Sequence, residues 1–130
     1  MSEDAALFEK GMPIRREVLV ADYVGNAMDK ADDFRMAFQR VTTRIVWCGE
    51  TLARRSRGLV NLAMLTALNR APAMKLHVKS ALNNGVALQK IRAVLLHAAY
   101  CGIPAGLDAF KVAQDALLKE GAIPSAEGVA

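Results

Sequence analysis

Apolar residues in this chain recur every three or four positions almost from end to end, and no run of β-branched and aromatic residues alternates with period two. That pattern predicts helices and excludes a sheet as the organising element. Phe34, Ala37, Phe38, Val41 and Ile45 form one stripe of a helix expected from Ala31 to Trp47, and an earlier helix carries Leu19, Val20, Tyr23, Val24, Ala27 and Met28. The segment from Arg55 to Asn69, RSRGLVNLAMLTALN, is apolar around most of its circumference, which predicts a central helix packed on several sides. A short helix from Pro72 to Asn83 follows, with a proline suited to a first turn and Asn83-Asn84-Gly85 as a left-handed stop. Between Leu88 and Tyr100, Ile91, Val94, Leu95 and Ala98 fall on one side before Cys101-Gly102-Ile103-Pro104 breaks the run. The last helix is expected from Ala105 to Glu120, with Leu107, Phe110, Ala113 and Leu117 inward and Gly121 ending it. The expectation is an all-α fold: one compact helical domain over residues 1–130, its core at 8–120 and its tail frayed at 122–130.

At 130 residues, 53% of them hydrophobic, the chain can bury about two-thirds of its unfolded surface and needs no disulfide or metal staple. The run Leu59 to Leu68 is interrupted by Asn61 and Thr66 and falls short of the roughly 20 residues of a membrane span. The acidic start MSEDAALFEK lacks the basic and apolar parts of a secretory signal. A cytoplasmic protein without membrane contact is therefore expected. Seventeen Lys and Arg face 13 Asp and Glu, a net charge of +4. The excess is scattered in pairs such as Arg15-Arg16 and Lys90 with Arg92, which fits a small anionic ligand at least as well as nucleic acid. Cys48 and Cys101 form neither a CxxC pair nor a metal-ligand series, so both are read as reduced apolar side chains.

Gly-rich phosphate loops, GxSxG, HExxH and zinc-type Cys/His series are all absent, which leaves single residues to carry any chemistry. His77 stands three residues after Met74 and four before Ala81, on the inward side of its helix. An imidazole there is either a proton donor or acceptor or a core histidine bonded to a carbonyl. His97 precedes Cys101 by four, but two possible ligands do not make a metal site. Glu50 follows Trp47-Cys48-Gly49 at a helix end, either reaching into a cleft or solvated. Arg54, Arg55, Arg57 and Arg70 bracket the central helix, where a guanidinium fork suits a substrate carboxylate or simply faces water.

The stretch NLAMLTALNRAPAMKLHVKSALNNGV, Asn61 to Val86, with IRAVLLHAAYCGIPAGLDAFKVA, Ile91 to Ala113, resembles the core of the carboxymuconolactone decarboxylase family, which is related to the alkylhydroperoxidase D-like fold. GMPIRREVL, Gly11 to Leu19, and Trp47 with Gly49-Glu50 resemble its shorter decarboxylase branch. The resemblance implies an all-helical subunit assembling as a homo-oligomer, trimer or hexamer. It also implies cofactor-free, metal-free decarboxylation of 4-carboxymuconolactone to the enol-lactone of 3-oxoadipate in aromatic-compound degradation. In that chemistry the substrate is its own electron sink. His77 is then the leading acid/base or carbonyl donor, Glu50 a weaker partner, and Arg54, Arg57 and Arg70 the candidates for substrate carboxylates.

The thiol-peroxidase branch carries a CxxC pair before the histidine and a glutamate on the preceding helix. Laid through His77, that motif meets Arg70 and Ala73 at the cysteine positions and Gly58 at the glutamate position, so disulfide chemistry is not expected. The chain also departs from the decarboxylase branch. The loop between Glu50 and Arg54 is shortened, and Ala73 stands where many members have a carboxylate. Two further readings follow: a same-fold paralogue that takes another small carboxylated or lactone substrate or has lost activity, and a non-catalytic basic helical module, which steep salt-dependent retention on nucleic acid would reveal.

Overall fold

The computed structural model describes residues 1–125, so the expected fraying beyond 125 lies outside the described residues. These residues form seven α-helices with no strand among them, an all-α architecture. The helices are α1 Glu3–Leu19, α2 Ala21–Asp29, α3 Asp33–Val41, α4 Arg54–Ala67, α5 Ala71–Asn83, α6 Leu88–His97 and α7 Ile103–Lys119. A π-helical turn, Thr42–Val46, continues α3, and a 3-10 turn, Ala98–Cys101, continues α6. The elements gather into two compact units, Met1–Ala53 and Arg54–Ala130.

In the first unit the acidic amino terminus is helix-forming. Ser2 accepts a bond from the Ala5 amide at 3.2 Å, and Glu3 and Asp4 sit in the first turn of α1, where the helix dipole favours negative charge. The helix expected to carry Leu19 through Met28 is divided. Val20 adopts φ +97, a costly conformation for a β-branched residue, and separates α1 from α2. Asp32 caps α3 through the Arg35 amide at 2.9 Å. Met12, Val18, Leu19, Val24 and Trp47 make the core of this unit.

Arg15 is only 4% exposed and meets no carboxylate among the described residues. Its Nη1 donates to Gln39 Oε1 at 2.7 Å and Thr43 Oγ1 at 3.1 Å, joining α1 to α3 and to the π-helical turn. Burial pushes the guanidinium pKa below its ordinary value, with nearby Tyr23 acting in the other direction. Its Nε and the indole Nε1 of Trp47 are buried donors without a partner among the described residues. The stripe of α3 and its π-helical turn faces outward: Phe34 is 89% exposed, Phe38 69% and Ile45 63%.

The second unit is built on α4, α5 and α7. Leu62, Met74, Val78, Ile91, Leu95, Ala113 and Leu117 belong to one core. Gly58 lies against Ala81 and Thr66 against Met74, so α4 and α5 run antiparallel. The inward face of α7 is Gly106, Ala109, Ala113 and Ala116 with Leu117; small side chains there allow close approach to α5. Leu107 is exposed rather than inward, and Val60 and Met64 leave one side of α4 uncovered instead of packed all round. The expected stop of α5 is present. Gly85 takes φ +74, its amide bonds Leu82 O, and the Val86 amide bonds Ala81 O, the paired pattern of a Schellman cap.

Candidate active site

His77 is held by the packing of α5 on α4. Met74, Val78 and Ala81 are the buried row of α5, and His77 flanks it, half-buried, opposite the middle of α4 near Leu62. Burial alone pushes its pKa below the ordinary 6.5, so the ring is neutral at neutral pH. No hydrogen bond from another described residue engages it. A neutral imidazole presents one N–H donor and one acceptor nitrogen. It can donate to a carbonyl oxygen or accept a proton, and it holds no spare proton at pH 7.

The arginines do not form one cluster. Arg54 and Arg57 occupy the opening turn of α4, beside the end of α5, while Arg70 is the residue before α5 begins. The ten residues from Arg57 to the end of α4 at Ala67 rise roughly 15 Å at 1.5 Å per residue, and Arg70 lies in the turn just beyond, so the two arginines mark opposite ends of α4 with His77 between their levels. The first turn of α4 carries no acid, and cations at the positive end of a helix make that end receptive to anions. Arg54 and Arg57 are both engaged by other groups of the chain. Arg70 is exposed and borders a crevice of about 10 Å³ shared with Asp108, room for one water at most.

Arg55 has a different task from its neighbours. Its Nε donates to the carbonyl of Asn84 at 3.1 Å, fastening the start of α4 to the end of α5. Glu50 belongs to the first unit. Its Oε1 accepts from Lys10 Nζ at 2.6 Å, and this bond holds the exposed carboxyl below its ordinary range. Glu50 is therefore a carboxylate at neutral pH and an acceptor, not a proton donor.

His97 is exposed and its ring meets that of Tyr100 at 5.0 Å. Cys101 is exposed, whereas Cys48 is buried and donates to the Leu7 carbonyl at 3.0 Å. Among the described residues no group of three or more His, Cys, Asp or Glu could hold a metal ion. Sequence reasoning missed Lys10, Arg15 and Arg55. The first two lie in the stretch from Lys10 to Arg16, whose charges offer no local signal of their distant partners, and Arg55 reads like its neighbours Arg54 and Arg57, with nothing local to mark the Asn84 carbonyl it meets.

The carboxymuconolactone decarboxylase family model matches residues 32–115. The chain is 32% identical over 127 residues to a 4-carboxymuconolactone decarboxylase of Acinetobacter baylyi, an alignment covering 93% of this chain and 94% of that protein. The chain belongs to the carboxymuconolactone decarboxylase family. It is also 36% identical over 126 residues to a nitrosuccinic acid decarboxylase of Metarhizium robertsii, covering 88% of each. Both relatives are named decarboxylases, which supports a carboxy-lyase-like enzyme. The family match contains His77, Glu50, Arg54, Arg57 and Arg70 and leaves Lys10 and Arg15 outside it.

Proposed function

We propose that the protein decarboxylates 4-carboxymuconolactone to the enol-lactone of 3-oxoadipate without a cofactor, with His77 as its central polar group. The observation that carries this reading is the half-buried, neutral imidazole of α5 within the span matched by the family. In the reaction the bond from ring carbon to carboxylate breaks and carbon dioxide departs. The electron pair delocalises through the conjugated double bond into the lactone carbonyl, and a solvent-derived proton is then delivered to carbon. A neutral His77 N–H serves best as donor to the carbonyl oxygen where negative charge collects. Arg57 from one end and Arg70 from the other are the groups that would meet carboxylates near His77. Ionised Glu50, an acceptor, fits a role in orienting a donor rather than in moving a proton.

A second substrate is favoured by a specific observation, the 36% identity to a nitrosuccinic acid decarboxylase. The shortened loop after Glu50 and Ala73 in α5 point in the same direction. A nitro group on the carbon losing carbon dioxide is also an electron sink within the substrate, and the second carboxylate remains as a handle.

The test is to measure carbon dioxide release from both compounds without added metal or nucleotide. His77→Ala should lower kcat about 100-fold with a smaller change in KM, while Arg57→Lys or Arg70→Lys should act mainly on KM. Absence of turnover above the spontaneous rate on both substrates would sink the reading. Full activity in His77→Ala would keep the reaction and remove the residue.

The same reading includes a cytoplasmic homo-oligomer, trimer or hexamer. The exposed Phe34, Phe38 and Ile45 support assembly, because an apolar stripe of this kind is costly in water. Light scattering that reports 14.0 kDa at micromolar concentration would refute it. No helix among the described residues is long and apolar enough to cross a membrane.

A further inference from the structure

Within the second unit, α6 and α7 leave between them an open groove of about 380 Å³, inside the size range of small-molecule sites. Its floor is apolar. Ile91 and Leu95 of α6 and Leu117 of α7 are buried beneath it, and Phe110 is half-buried along its wall. Arg92 and Lys111, both exposed, stand at its rim on opposite helices. The lining contains no acid, and neither cation forms an ion pair among the described residues.

We propose that this groove is a binding site for a small amphipathic carboxylate, an aromatic or medium-chain acid whose apolar body lies on the Ile91–Leu117 floor and whose single carboxylate meets Arg92 and Lys111. The chemistry selects that class from two sides. A polar dianion such as the proposed lactone substrate could set one carboxylate against the rim cations but would leave the other desolvated over the apolar floor. An uncharged apolar molecule would forgo the two cations that line the groove from separate helices. The site shares no residue with the His77 region and does not depend on the reaction assigned there.

The experiment is titration of the isotopically labelled protein with octanoate and, separately, with 1-octanol, following backbone amide shifts and heats of binding. Octanoate should move the amides around Ile91, Leu95, Phe110 and Leu117 and bind about tenfold more tightly than 1-octanol. Two exposed cation–carboxylate contacts of a few-fold each account for that margin. The double variant Arg92→Gln/Lys111→Gln, both changes at exposed positions, should bring octanoate to the 1-octanol level and leave 1-octanol unchanged. Gln114→Trp, at the exposed edge of the groove, should weaken both.

Raising salt on the wild-type protein should reduce the octanoate advantage without any substitution, which keeps the test valid if a variant fails to fold. Equal affinity for the two probes, shifts confined to other residues, or no binding overturns the proposal. So does dissociation of an oligomer by Gln114→Trp in a protein that ignores both probes, since the groove then seats a second copy of the chain.

Discussion

Gly11 is where α1 packs tightly on the π-helical turn, and replacing it with alanine sets two effects of opposite sign against each other. The residue is buried, and a Cβ built on it would overlap the Thr43 carbonyl oxygen while lying 3.1 Å from Thr43 Cγ2. Alanine in place of glycine inside a helix gains about 1 kcal/mol from backbone entropy. Overpacking a close contact costs about 1–3 kcal/mol. The upper part of that range applies here, because the overlapped atom is backbone and the Thr43 side chain is itself tied to Arg15 at 3.1 Å. The turn cannot retreat without straining that bond. Gly11→Ala should therefore lose about 1–2 kcal/mol net, a fall in Tm of roughly 3–10 °C for a chain of this size.

Gly25, inside α2, provides the control. A Cβ there meets nothing within 4 Å, so Gly25→Ala should be stabilised by up to about 1 kcal/mol through propensity alone. Thermal and urea unfolding of the two variants beside the wild type measures the difference. If Gly11→Ala is stabilised as much as Gly25→Ala, the close approach of α1 to the turn is wrong.

Gly85→Ala should cost about 1–2 kcal/mol in urea unfolding, from φ +74 and from a Cβ 3.2 Å from Arg55 Nη2; Gly85→Asn should recover part of the loss. Arg15→Met should leave stability unchanged or raise it by up to about 2 kcal/mol, because a buried guanidinium without a carboxylate gives up its desolvation cost; a loss above 3 kcal/mol would show that its bonds to Gln39 and Thr43 outweigh that cost. The folded pKa of His77 is lowered, so the unfolded chain binds its proton first as pH falls. Its contribution to stability is complete above about 6.5 and declines through the window below, and urea midpoints should show a pH slope that His77→Gln abolishes.

Much of the fold was legible because its signals are local. The stop at Gly85 follows from Asn83-Asn84-Gly85, and the inward positions Ile91, Leu95, Ala113 and Leu117 follow from their spacing alone. The division of α1 from α2 was not legible, since it depends on φ +97 at Val20, a conformation its side chain disfavours. The π-helical turn escaped for a related reason. It depends on a distant absence, the missing side chain of Gly11, and on Arg15 reaching 28 residues along the chain to Thr43.

The candidate site divides along the same physical line. Period identifies which residues share a face, and it sets His77 beside Met74 and Ala81, where the structure leaves the ring half-buried rather than in the core. It does not say what covers a face. The stripe from Phe34 to Ile45 is a real stripe with its apolar side outward, and the uncovered side of α4 at Val60 and Met64 repeats the point. Charge suffers from a sharper version of the problem. Arg54, Arg55, Arg57 and Arg70 look alike as letters, yet Arg55 fastens two helices, Arg54 and Arg57 crowd the start of α4, and Arg70 stands in the turn beyond its far end. A guanidinium takes its role from the acceptor it meets, and acceptors such as the Asn84 carbonyl are brought to it only by the fold. Arg15 carries this furthest, since a charge that reads as surface in GMPIRREVL is 4% exposed between a glutamine and a threonine.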